Sequence, residues 1–238
     1  MDERLDNVIA KWTRLGVGFG GAPSSESPDL ERVVLETARC APAMARLFIM
    51  ATTWLHRYGE LIAKHRLRRL VRDELEPAHH ATLGLMLDAA QRDTHPPRFA
   101  SIIRDLAPAS EPRPLFEVER ASEALAARAE VRASALSAAW GVWCEAFEFK
   151  DDALRPASWV MRMNPGLVAR ADFRGDLRAS VLASLTHDAG AGRSELELAR
   201  RCGGSRAQVR HALDNLELTG KASRRRSESD RRTSILIA

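Results

Sequence analysis

Seven arginines, one glutamine and one histidine lie within residues 205–238, and all of these side chains can hydrogen-bond to bases or phosphates. Positions 205–220, SRAQVRHALDNLELTG, predict a helix with an apolar stripe along one side. Arginine can hold guanine through two hydrogen bonds, and glutamine can do the same with adenine. The candidate DNA contacts at the N-cap and on the opposite side of this helix are Ser205, Arg206, Gln208, Arg210 and His211.

A second group of arginines follows that helix directly. Positions 221–238, KASRRRSESDRRTSILIA, predict a basic β-hairpin, which after a helix-turn-helix forms the wing of a winged helix. Such a wing brings cationic side chains to the DNA backbone beside the groove that the helix enters. The candidate DNA contacts from the hairpin are Arg224, Arg225, Arg226, Arg231 and Arg232.

Charge is unevenly distributed along the sequence. Residues 175–238 contain 12 Lys and Arg against 8 Asp and Glu, whereas residues 1–174 contain 24 of each. The whole net charge of +4 therefore falls in the last quarter of the chain. Polyanion binding depends on clustered basic side chains that release counterions from phosphates, so this distribution favours a nucleic-acid partner.

Three predicted helices position these side chains. The first covers 176–186, the second begins after Ser194 as its N-cap, and the third runs from Ser205 to a glycine C-cap at Gly220. Cys202-Gly203-Gly204 supplies the turn between the second and third helices. The side chains expected to face a shared core are Leu177, Val181, Leu182, Leu185, Leu196, Leu198, Ala199, Val209, Ala212, Leu213 and Leu216.

The closing segment resembles the wing of MarR-type winged-helix regulators. Leu216 and Gly220 match the end of that family's recognition helix, and Arg224 and Asp230-Arg231-Arg232 follow in register. The resemblance covers about residues 177–237. It implies that Asp230 holds the wing in place by pairing with arginine, and that Arg231 or Arg232 approaches the minor groove or its phosphates. Lys221-Ala222 replaces hydrophobic residues of the family, and residues before 148 look unlike it, so its ligand pocket and dimer geometry are not carried over.

The residues upstream predict further helices separated by glycine and proline. We expect a loop at 15–29, a helix capped by Asp29, a helix over 44–71 with an interruption near Gly59, and shorter helices at 79–91 and 99–106. Arg66, Arg68 and Arg69 are expected mostly away from the apolar face of their helix. Residues 116–147 contain no proline and predict one long helix of about 45 Å, which could act as a dimerisation strut. One or two short helices are expected within 148–175.

Two other functional classes remain open. Arg72-Asp73 followed by His79 is loosely similar to the R-x(4–6)-H motif of HEPN ribonucleases, which would make the protein a ribonuclease or a toxin–antitoxin component. The other class is a non-catalytic scaffold that binds protein through its winged helix. The glycines of GVGFGG at 16–21 lack the lysine and hydroxyl residue of a phosphate-binding loop, so a connector is favoured over a nucleotide site.

The remaining composition points to a protein of the cytoplasm without a cofactor. The three cysteines, Cys40, Cys144 and Cys202, are far apart and predict neither a disulfide framework nor a zinc site, although a redox-sensing thiol is an alternative to plain buried residues. No stretch reaches the roughly 18 apolar residues needed to cross a bilayer. No catalytic residue, cofactor or metal site is expected.

The sequence therefore predicts a mainly α protein in three parts. These are a helical dimerisation or partner region at 1–147, connecting helices at 148–175, and a winged helix-turn-helix with a small β-hairpin at 176–238. We expect a sequence-specific regulator of transcription, acting as a repressor and as a homodimer on a palindromic operator of double-stranded DNA. The N-terminal helices would supply the dimer interface and a site for a protein or small-molecule effector.

Overall fold

Helices make up most of the chain. In the computed structural model, residues 3–226 and 233–238 are described, together with all their side chains except those of Arg226 and Thr233. The α-helices in this part of the chain are α1 (Glu3–Arg14), α2 (Leu30–Cys40), α3 (Ala45–Tyr58), α4 (Lys64–Glu74), α5 (His80–Gln91), α6 (Ala100–Ile103), α7 (Glu117–Arg120), α8 (Glu123–Val131), α9 (Ala135–Ala139), α10 (Ala157–Met163), α11 (Gly166–Ala171), α12 (Leu177–His187), α13 (Glu195–Cys202) and α14 (Arg206–Leu218). The predicted mainly α class is confirmed.

Strands are few and short. β1 (Arg113–Pro114) and β2 (Val142–Trp143) pair in parallel, and β3 (Ala222–Arg226) and β4 (Thr233–Ile237) pair antiparallel. In the second pair Ala222 lies opposite Ile237 and Arg226 lies opposite Thr233, so the predicted hairpin strands are present. None of the described helices is both long and apolar enough to cross a lipid bilayer.

The chain divides into two units that are not consecutive in sequence. The first unit comprises Met1–Gly59 and Glu74–Asn164, and the second comprises Glu60–Asp73 and Pro165–Ala238. Nearly all of α4 therefore belongs to the same unit as α12, α13 and α14, more than 100 residues later. No feature of the sequence predicts this arrangement, because the apolar periodicity of α4 is like that of the neighbouring helices.

The predicted interruption near Gly59 is confirmed. α3 ends at Tyr58, a 3-10 turn covers Gly59–Leu61, and α4 starts at Lys64. The Asp29 cap is also confirmed, since its side chain accepts a hydrogen bond from the Arg32 backbone amide. The segment between α1 and α2 is a loop apart from an isolated bridge between Val17 and Leu154. These features of the first unit follow local signals that the sequence displays.

The predicted single long helix over 116–147 is wrong. The segment forms α7, α8 and α9 and then β2. The Ser122 and Ser134 side chains each accept a hydrogen bond from the backbone amide three residues later, as N-caps do. A serine that competes with the backbone in this way starts a new helix rather than continuing the previous one. The strut of about 45 Å that the sequence suggested for dimerisation is therefore absent from these described residues.

The second unit has a continuous apolar core beneath its helices and hairpin. Buried residues of α12, α13, α14, β3 and β4 contribute to it. They include Val181, Leu198, Val209, Leu213, Leu216, Ala222 and Ile235. Leu177 and Leu185 pack against this core while partly exposed. Leu196 is wrong as a core residue, because its side chain is half exposed. The inward stripe of α13 runs through Leu198, Ala199 and Cys202, and Leu196 lies about 200° around the helix from Leu198.

A buried ion pair fastens α4 into this unit. The Arg66 guanidinium donates from Nε to Asp188 Oδ2 over 3.0 Å and from Nη2 to Asp188 Oδ1 over 2.8 Å. Both side chains are fully buried, and the Arg66 backbone amide also donates to Ser180 Oγ. The expectation that Arg66 lies away from the apolar face is wrong. The paired carboxylate, 122 residues away, satisfies the guanidinium and allows its burial.

Candidate nucleic-acid interface

Two serine caps set the start of the helices that carry the predicted contacts. Ser194 Oγ accepts from the Glu197 amide at the start of α13, and Ser205 Oγ accepts from the Gln208 amide at the start of α14. Gln208 Oε1 in return accepts from the Ser205 amide over 3.0 Å, completing a capping box. Gly203 ends α13 with φ of +81°, which only a glycine adopts easily. The predicted turn chemistry is confirmed.

α14 turns a polar face outward. We call this the α14 face, and it consists of Arg206, Gln208, Arg210 and His211, all exposed. On the opposite side Val209, Ala212, Leu213 and Leu216 are buried, as the periodicity predicted. The capping box occupies one lone pair of the Gln208 carbonyl, so the same amide retains acceptor and donor capacity toward a base.

One carboxylate organises three of the predicted arginines. Glu195, in the first turn of α13, approaches Arg210 Nη2 to 3.2 Å, Arg224 Nε to 3.5 Å and Arg206 Nε to 3.8 Å. Arg206 and Arg210 are nevertheless more than half exposed, whereas the Glu195 side chain is mostly covered. No sequence pattern identifies Glu195 as a member of this site. Its pairing with α14 and the hairpin depends on how the elements pack.

Arg224 ties the hairpin to α14. Its Nη1 donates to Asp214 Oδ1 and to Glu217 Oε2, each over 2.8 Å, and its backbone amide donates to Glu217 Oε1. Burial acts to lower the pKa of Arg224, but the hydrogen bond with Asp214 and the charges of Glu217 and Glu195 outweigh it and raise that pKa. Asp214, on the exposed side of α14, is thus a partner of this guanidinium.

The other hairpin residues divide into exposed and undescribed positions. Arg225 is exposed on β3, and its carbonyl accepts from Ser234 Oγ across the strand pair. Arg226 ends β3, but its side chain lies outside the described residues. Asp230, Arg231 and Arg232 also lie outside them, so the roles that the MarR-type resemblance implies for these three remain predictions. The described carboxylate partners of Arg224 are on α13 and α14.

The α14 face continues into a shallow groove of about 440 Å³. Its lining includes Gln208 and His211 of α14, Asp176 and Arg178 at the start of α12, and His65 of α4. Arg178 donates to Asn215 Oδ1 over 2.8 Å and to Asp176 Oδ2 over 2.8 Å, which holds that rim in place. His65 thus joins the surroundings of the predicted helix from a distant part of the sequence.

The charge of the second unit is larger than the sequence segments suggested. Its two segments contain 19 Lys and Arg against 11 Asp and Glu, a net charge of +8. The first unit contains 17 against 21, a net charge of −4. The difference arises mainly because residues 60–73 bring five basic side chains, all on α4, and only two acidic ones into the second unit.

The residues of the ribonuclease alternative belong to separate units. Arg72 lies on α4 in the second unit, and His79 ends the 3-10 turn Pro77–His79 in the first. Burial lowers the pKa of His79 despite the nearby Glu76 carboxylate. His79 lines an open groove of about 800 Å³ with Arg39, Cys40 and other polar residues of the first unit. The ribonuclease activity stays an untested alternative.

In three comparisons with known proteins, no family model, no curated protein and no solved structure matches the chain.

Proposed function

We propose that the second unit binds double-stranded DNA and that the protein is a regulator of transcription. The observation that carries the proposal is the exposed α14 face beside an arginine-bearing hairpin, within a unit of net charge +8. In this proposal α12, α13 and α14 with β3 and β4 are a winged helix-turn-helix. α14 enters the major groove, and the hairpin lies against the neighbouring backbone.

Arg206, Gln208, Arg210 and His211 read base edges in this proposal. Their exposure and their position in the first half of α14 support that role, because recognition helices contact bases through their N-terminal residues. Arg225 and the arginines at 226, 231 and 232 contact phosphates. Arg224 instead supports the hairpin, since Asp214, Glu217 and Glu195 already surround it.

Glu195 gives the α14 face a selective character. A carboxylate beside Arg206 and Arg210 holds their guanidinium groups in defined positions and repels phosphates that approach without base contacts. Specific DNA can compensate for the loss of these ion pairs by offering two acceptors on guanine. We therefore assign base discrimination to Arg210 and general affinity to Arg225.

Selection of bound duplexes from random DNA tests the proposal. After selection, fluorescence anisotropy compares the selected duplex with a scrambled one. Arg210→Ala should lower the preference for the selected duplex by about 5- to 150-fold, the range expected for one bidentate base contact. Arg225→Ala should weaken binding to both duplexes alike, and the exposed first-unit change Arg104→Ala should alter neither. Unchanged affinities in both second-unit variants would overturn the assignment of the DNA face.

We also propose that the protein acts in the cytoplasm as a homodimeric repressor. A two-fold pair of second units would read a palindromic operator with half-sites about one helical turn apart. The first unit, with its open groove lined by Lys11, Glu36 and Arg39, is the place for an effector or partner. The symmetry of the selected DNA tests the dimer, because a monomer would select a single half-site.

A further inference from the structure

A second basic surface lies in the same unit but on different helices from the α14 face. Arg69, Arg72 and Asp73 of α4 line a groove of about 660 Å³ together with Glu197, Arg200 and Arg201 of α13. We call it the arginine groove. Four guanidinium groups face two carboxylates there. Asp73 pairs with Arg69 at 3.3 Å, and Glu197 pairs with Arg201 at 2.7 Å.

Packing of α4 against the turn before α14 fixes where this groove lies. A Cβ added at Gly203, in that turn, would come within 2.4 Å of the His65 carbonyl oxygen and 3.4 Å of Arg69 Cβ. Arg69 Nη1 also reaches the Arg200 carbonyl at 3.5 Å. The arginine groove therefore lies next to the turn between α13 and α14.

The other edge of α4 also approaches α14. His65 shares a groove with Gln208 and His211, which belong to the α14 face. α4 therefore lies beside α14 in two places, at the turn that precedes α14 and at the exposed side of α14. Because B-DNA carries a phosphate charge for every 1.7 Å or so of its length, a duplex on the α14 face that continues alongside α4 offers phosphates to the basic side chains of α4.

We propose that the arginine groove is a second site for the phosphate backbone of the duplex, resting on the proposed DNA binding by the α14 face. The guanidinium groups suit this ligand because arginine binds phosphate through paired hydrogen bonds. Asp73 and Glu197 hold two of the arginines in place and keep the groove selective for a multiply charged anion. The site adds affinity without reading sequence, since phosphates are the same at every step.

The test compares two pairs of charge-removing substitutions. Arg72→Gln with Arg200→Gln removes two exposed arginines from the groove and leaves the α14 face and the hairpin intact. Arg128→Gln with Arg162→Gln removes two exposed arginines from the first unit and serves as the control for net charge. Anisotropy titrations at several salt concentrations use the selected duplex and its scrambled form. Circular dichroism and urea unfolding establish that each variant is folded.

The groove variant should bind both duplexes at least about tenfold more weakly at low salt, with an unchanged preference between them. The slope of log affinity against log salt should become shallower by about 2, or roughly 0.9 for each lost phosphate contact. Arg72→Lys with Arg200→Lys should recover the salt slope but only part of the affinity, since lysine restores the charge without the paired hydrogen bonds. A groove variant that matches its control, while wild-type protein binds DNA, would overturn the groove alone. Wild-type protein that binds no duplex would overturn the proposed function together with it.

Discussion

Arg224 illustrates how an arginine in a basic hairpin can serve the fold. The sequence analysis groups it with Arg225 and Arg226 as a candidate DNA contact. The structure surrounds it with Asp214, Glu217 and Glu195, and leaves Arg225 exposed. Alternation along β3 explains the difference, because neighbouring side chains of a strand point to opposite faces.

Arg224→Gln should therefore lower the stability of the protein. The change removes the hydrogen bonds to Asp214 and Glu217 and leaves three carboxylates close together without their shared cation. We expect the free energy of unfolding to fall by about 1–3 kcal/mol, the range for hydrogen bonds to charged groups. Urea unfolding measures it. Arg225→Gln, on the exposed side of the same strand, should change it by less than about 0.5 kcal/mol, and equal losses in the two variants would contradict the assignment.

The three thiols should react at very different rates. Burial, reinforced by nearby carboxylates, raises the pKa of Cys144 to about 12, and burial raises the pKa of Cys202 to about 11. Because the thiolate is the reactive form, both should react slowly with a disulfide reagent at pH 8. The half-buried Cys40 should react first. Thiol counting in native protein and then in urea checks this, and rapid native labelling of all three would contradict it.

Gly84 determines how closely α5 packs against the segment around α9. A Cβ added at this position would meet the Trp140 ring at 2.2 Å. The ring is itself held, since Trp140 Nε1 donates to Asp88 Oδ2 over 3.2 Å. A helical Gly→Ala change normally gains up to about 1 kcal/mol in helix propensity.

Gly84→Ala should nevertheless destabilise the protein, because overpacking costs about 1–3 kcal/mol and exceeds that gain. The thermal midpoint should fall. Gly166→Ala is the matched control, since α11 leaves open space around that position. It should be neutral or stabilising, and a rise in midpoint for Gly84→Ala would show that the indole moves aside without cost.

Local signals explain which elements could be predicted from the sequence. Asp29, Ser194 and Ser205 precede apolar periodicity and were identified as N-caps, and the core side of α14 followed from its spacing. The same kind of signal at Ser122 and Ser134 was missed, because the alanine-rich, proline-free stretch around them suggested an uninterrupted helix. Partners of Arg224 could not be predicted, since they depend on how the hairpin folds back over two helices.

The path of the chain through the whole molecule decides which residues make up the second unit. The chain enters the second unit at Glu60, returns to the first at Glu74, and enters the second again at Pro165. This exchange places a net charge of +8 on the second unit and −4 on the first. Arg66 of α4 and Asp188 lie 122 residues apart, and no sequence pattern links them. Their membership of one unit is therefore visible only in the three-dimensional structure.

Breaking the Arg66–Asp188 pair should be costly. Arg66→Met leaves a buried carboxylate without its cation, which typically lowers the free energy of unfolding by about 3–5 kcal/mol. Arg66→Met combined with Asp188→Leu removes both charges and should recover much of the loss, since apolar replacements of buried pairs are often tolerated. Urea unfolding of both variants makes the comparison. If the double variant were as unstable as Arg66→Met alone, the main role of the pair would not be to neutralise two buried charges.

The affinity of wild-type protein for duplex DNA, measured by anisotropy as salt is raised, decides whether the second unit binds DNA. We predict tight binding of the selected duplex at 50 mM salt, and a steep linear fall of log affinity with log salt as phosphate contacts release counterions. Single-stranded DNA of the same sequence should bind more weakly, because α14 requires a major groove. An absence of duplex binding at micromolar protein and low salt would contradict the account.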